Sequence, residues 1–152
     1  MSKNKKHEVE LNKSIHPHVL HANKTENIIF GMDNKTKAIF TVQLYFTGVG
    51  IKGDVTTVVH FDDTVNRVSA LIVNFDKIYY CNIEGIQGIY IYDMEAKMQT
   101  LLCQEPGIKG LGMMPNDVLV FTKEHKVLCT TDGLAIETLA GSDTPGVFML
   151  KR

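Results

Sequence analysis

Short apolar runs, many of them β-branched or aromatic, recur along the whole chain: "VLHA", "NIIFGM", "AIFTVQLYF", "TTVVHF", "VSALIVNF", "KIYYCN", "IYIYDM", "TLLC", "VLVFT", "KVLCTT", "AIETLA" and "GVFML". Between them stand "DNKTK", "TGVGIKG", "NIEGIQG", "QEPGIKG", "MPND" and "GSDTPG", clusters of the residues that turns require. No window holds the i, i+3, i+4, i+7 spacing that a sizeable helix needs. "DMEAKMQTLL" comes nearest, with room for a single helical turn. The pattern predicts an all-β chain of about twelve short strands, spaced as in a barrel, sandwich or propeller.

Several runs are apolar on consecutive positions, as in Ile28-Ile29-Phe30, Ile78-Tyr79-Tyr80 and Val118-Leu119-Val120. A strand apolar on both faces must be covered on both, which favours sheets stacked between sheets. The chain also resembles itself. "NIIFGMDNKTKAIFTVQ" aligns with "KIYYCNIEGIQGIYIYD", and "DVLVFTKEHKVLCTTD" repeats the shape with a shorter connection. Each is a hairpin preceded by a run ("HPHVLHA", "RVSALIVNF", "IKGLGMM") and followed by another at Thr57, Thr100 and Thr138. The expectation is three four-stranded repeats forming one domain over residues 15–141. Residues 1–14 are expected to be an N-terminal extension, partly disordered, and 142–152 a C-terminal strand or tail. Two architectures suit three such units: propeller-like blades, or a β-trefoil or other closed barrel.

The central unit, "ALIVNFDKIYYCNIEGIQGIYIYDMEAKMQTLL", resembles a blade of the YWTD-like β-propeller family. Tyr79, Tyr80, Asn82, Gly88, Ile89, Tyr90 and Asp93 match its pattern, and Cys81 stands where the pattern prefers Thr or Ser. The resemblance is carried by residues 70–102 and implies the propeller-like fold. Three blades do not close a ring, so their end faces would need a second copy, a partner, or further sequence if the chain is a fragment of a larger propeller.

Charge adds little, because 16 Lys and Arg balance 17 Asp and Glu. No global field favours nucleic acid or an anionic membrane, so neither is expected as a partner. The basic start, Lys3, Lys5 and Lys6, reads as a solvated terminus. "MSKNKKHEVELNKS" holds no apolar run of signal type. Cys81, Cys103 and Cys129 match neither a disulfide framework nor a zinc pattern. A cytosol-like, cytoplasmic location is therefore expected, extracellular only if a signal peptide has been removed. The triplets at Asn12, Asn23 and Asn34 then mark strand connections, not glycans.

Candidate chemistry is sparse. "HPHVLH" sets His16 and His18 two apart, on one face if the segment is a strand, with His21 nearby. No acidic or thiol ligand adjoins them, and Pro17 disfavours a central strand, so they are weak metal candidates. "HFDDTVNR" places Asp62 and Asp63 beside His60, a set that could hold an ion or do acid–base work but also reads as a turn. The two "GIKG" copies, at Gly50 and Gly107, read as connections near unit boundaries. Cys81 and Cys129 lie in apolar strands as core residues. Tyr79, Tyr80, Tyr90 and Tyr92 alternate through one hairpin, and any that reaches a sheet end could line a partner surface.

These observations point to a non-enzymatic interaction module, without a cofactor, that presents a β-repeat surface to a protein partner or to its own copy. One alternative is a ligand- or metal-binding, hydrolase-like protein using His60, Asp62 and Asp63. Another is a β-trefoil that binds a receptor or a glycan.

Overall fold

The structure, a computed structural model, describes residues 8–23, 25–62, 65–131 and 136–141. The chain divides into two compact units, residues 1–60 and 61–152. Both are built of β-strands, with no α-helix among the described residues. Among the described residues no helix is long and apolar enough to cross a membrane.

The first unit is a five-stranded sheet of β1 (Val9–Leu11), β2 (Val19–Asn23), β3 (Ile28–Asp33), β4 (Ala38–Thr47) and β5 (Gly50–His60), in the order β1-β5-β4-β3-β2. β2 to β5 form the expected antiparallel meander. Directly opposed residues of such a pair share a face, and the pairing sorts the consecutive apolar residues accordingly. Met32 and Ile39, opposed, lie on one face fully buried, while Phe40, Val42 and Val55 form a cluster on the other.

Part of that second face, around Phe40, is covered by the chain's own N-terminal segment. Asn12 donates its N–H to the Gly53 carbonyl (3.2 Å) and accepts from the Val55 N–H (2.8 Å). Ile15 then packs on the Phe40 cluster. The His16 and His18 N–H groups donate to the Asp33 carboxylate (3.0 Å) and the Met32 carbonyl (2.8 Å), and the chain enters β2. So part of the expected extension is a structural strap, and Val9–Leu11 forms a strand parallel to β5.

"YFTGVGIKGDV", which holds the first of the "GIKG" copies expected near unit boundaries, lies within the first unit. It forms the tip of the β4–β5 hairpin, whose strands run to 10 and 11 residues. The first "GIKG" therefore opens β5, whereas the second, with Gly107 at φ 79, leads into the next sheet.

The second unit holds two four-stranded meanders. One is β6 (Val68–Asn74), β7 (Lys77–Asn82), β8 (Gly88–Asp93) and β9 (Met98–Cys103); the other is β10 (Ile108–Met114), β11 (Val118–Lys123), β12 (Lys126–Thr130) and β13 (Glu137–Gly141). Cys81, Ile89 and Cys103 pack against Ile108, Leu119 and Phe121 of the other sheet in one buried cluster. The stacking of sheets anticipated from the doubly apolar strands is realised here. "DMEAKMQTLL" contains no helical turn: Asp93 accepts the N–H groups of Glu95 and Ala96 (both 3.0 Å), turning the chain straight into β9.

Among the described residues every sheet consists of consecutive strands apart from β1, and none closes on itself. A trefoil or other barrel pairs its first strand with its last, which the described strands do not. Asp63 and residues 142–152 lie outside the described residues.

Candidate functional site

In β7 successive side chains point to opposite faces, which divides the tyrosines. Tyr80 is opposed to Tyr90 across the ladder, and their rings stack with centroids 5.7 Å apart. Phe61 lies 5.0 Å from the Tyr80 ring. The Tyr80 hydroxyl bonds to Gln99, and the Tyr90 hydroxyl donates to the Ile86 carbonyl (2.7 Å). Tyr80, Tyr90 and Tyr92 are all buried. Burial, with Tyr90, Tyr92 and Asp62 nearby, pushes the Tyr80 phenol far above its ordinary value. Burial also raises Tyr90, with Asp62 reinforcing and Asn82 opposing.

Tyr79 faces the other way and is half-buried against the cluster between the two sheets. Burial raises its hydroxyl pKa, Lys77 lowers it, and Asp117 and Asp76 raise it further. Those charges belong to two turns. The β6–β7 turn is Asn74-Phe75-Asp76-Lys77, and β10 passes into β11 through the 3-10 turn Pro115–Asp117. Asn74 donates from Nδ2 to the Asp117 carboxylate (2.8 Å), tying the two together.

The tie holds up an exposed aromatic. Phe75 is 88% exposed and sits at φ +57, the left-handed region that bulky side chains avoid. Met114, at the end of β10, is 54% exposed, and Met98, just past the β8–β9 turn, is 64% exposed. The first and third connections of a meander lie at the same end, so Phe75 and Met98 share an edge of their sheet. The Asn74–Asp117 bond brings Met114 to that edge. At the opposite end of this sheet the exposed large apolar residue is Ile86, in the β7–β8 connection.

The remaining candidates are not gathered there. His60 ends β5 in the first unit, Asp62 belongs to the second, and Asp63 is outside the described residues. His16 and His18 precede β2 instead of sharing a strand face, because Pro17 cannot donate to a ladder. The His18 ring accepts from the Asn34 N–H through Nδ1 (3.0 Å). His21 lies within β2, where burial lowers its pKa. Among the described residues no group of three His, Cys, Asp or Glu is placed to hold a metal ion. Burial raises the Cys81 thiol, which donates to the Ile108 carbonyl (3.5 Å), and that suits a core residue.

Phe75 was hidden in the sequence by the apolar run "VSALIVNF", which reads as strand to its end. The signal available was "NFDK", a turn tetrapeptide with Asn and Asp flanking the aromatic.

No protein-family model matches the chain, and no curated protein matches it. Among solved structures it is similar to a chain of the "Crystal structure of Nidogen/Laminin Complex", with a TM-score of 0.65 and 16% identity. The match covers 82% of this chain and 48% of that one, so the chain spans about half the neighbour's length. The neighbour contains a YWTD β-propeller. The likeness shows a fold alone: the chain is all-β, in open four- and five-stranded sheets that a propeller neighbour fits.

Proposed function

We propose that the chain is a protein-interaction module whose second unit docks a protein partner through the turn end formed by Phe75, Met98 and Met114, with Tyr79 behind them. The observation that carries this reading is Phe75: a large ring held in solvent at a backbone conformation costing about 1 kcal/mol or more. The two-residue hairpin turn sets that backbone conformation, as it does at Glu124 (φ 55), but it does not call for an aromatic there, whereas an aromatic seated in a partner's pocket commonly dominates an interface. The neighbour's printed description, a complex of two proteins, is consistent with such use. The carboxylates of Asp76 and Asp117 give the patch a polar rim. The proposal also sets the module in a reducing compartment, supported by three buried, unpaired cysteines.

A photo-cross-linking residue placed at Met98 is expected to capture a partner protein in cells, and one placed at Ile86 is not. Phe75→Gly, which relaxes the backbone, is expected to keep or raise the melting temperature while abolishing capture. Equal capture from both positions would overturn the reading, and cross-links solely to a second copy would replace the partner by self-association.

A further inference from the structure

We propose that the outer edge of β1 is a strand-addition site for an extended segment of a partner protein in which apolar and basic residues alternate. The site belongs to the first unit and stands apart from the Phe75 surface. β3 stops pairing with β4 at Ile28–Gln43, yet the hairpin continues through Leu44 to its turn and back to Gly53. This overhang has already taken one added strand: β1 pairs in parallel with Ile51–Gly53 of β5. Among the described residues no strand lies beyond β1, so its outer backbone groups form an open edge.

The two faces of this edge differ. Val9 and Leu11 lie on the same face as Leu44 and Phe46, over Gly53, where a Cβ would stand 2.9 Å from Leu11 and 3.1 Å from Val9. Val9, Leu11 and Phe46 remain 37%, 36% and 63% exposed, an apolar strip a new strand could extend. Glu10 points to the other face, paired in register with Lys52, and Glu8 precedes β1 at the same alternation. A cavity of about 360 Å³ lies between Glu8–Glu10 and the hairpin turn.

Charge chooses the occupant. Antiparallel pairing with a second copy sets Glu10 against Glu10 when Val9 faces Leu11, and Glu8 against Glu10 when Val9 faces Val9. Like charges directly opposed are destabilising, and a one-residue slip moves glutamate onto the apolar face. A segment with valine-like residues flanking a lysine or arginine meets both faces, adding backbone bonds in the manner of other strand-addition complexes.

Labelled Val-Lys-Val-Lys-Val and Val-Glu-Val-Glu-Val peptides, titrated against the full chain, test this by fluorescence anisotropy and amide hydrogen exchange. The lysine peptide is expected to bind about fivefold tighter or better. It should protect amides of residues 9–11 and bind Phe75→Ser unchanged. Glu10→Lys, at an exposed position, should reverse the preference. Equal binding of both peptides, no binding, protection confined elsewhere, or a peptide-free dimer protecting β1 would each overturn the proposal.

Discussion

At the scale of single residues, buried polar groups do the positioning. Asp33 is 4% exposed and accepts from the N–H groups of His16, Lys35 and Thr36, at 3.0, 2.9 and 3.1 Å. Burial pushes its carboxyl upward, but those backbone donors and the nearby His16 outweigh it, leaving the pKa below the ordinary value of 3.8. The folded pKa lies below the unfolded one, so the stabilisation is fully present above the unfolded value. It is lost as pH falls through the folded value. Asp33→Ala is expected to cost about 2 kcal/mol at neutral pH in urea titrations, with the gap to the unaltered chain closing in strong acid. Asn82 plays a comparable part in the second unit, accepting from the Asn66 and Arg67 N–H groups (both 3.2 Å) and donating to the Ile86 carbonyl (2.9 Å). Gly88, part of the blade-like pattern, has a visible reason: a Cβ there would stand 2.2 Å from the Cys103 carbonyl oxygen.

Between residues and sheets, the turns show what could be read in advance. "DNKTK" and "DMEAK" both begin with an aspartate whose Oδ1 accepts the next two available N–H groups, and both end with lysine at φ 55 and 56. Lys37→Gly and Lys97→Gly are each expected to stabilise the protein by about 0.5–1 kcal/mol, seen as a higher urea midpoint. The strands of the three meanders were legible because apolar runs and turn residues alternate at strand length. Alternation also foretold that the four tyrosines would divide between faces. Which of them would stay accessible was not legible, because that depends on sheet stacking and on the distant Asn74–Asp117 tie. Nor was β1, whose three residues pair with a strand some forty positions away. The glycines of "TGVGIKG" looked like a loop, but Gly53 is small because Val9 and Leu11 lie against it.

For the whole molecule, the question raised by unclosed repeats is what covers their end faces. In the first unit the strap from Asn12 to His18 covers the Phe40 cluster on one face of its sheet, joined to β5 at one end and to β3 at the other. Ile15→Asp, which puts a charge over Phe40, Val42 and Val55, is expected to destabilise the unit by about 2 kcal/mol and to raise binding of a hydrophobic dye. Unchanged dye binding would mean that the segment is ornamental. A short stretch of backbone thus performs a service that would otherwise demand a further sheet. Any molecule approaching the Phe40, Val42 and Val55 cluster from outside must first peel away a segment that belongs to the chain itself.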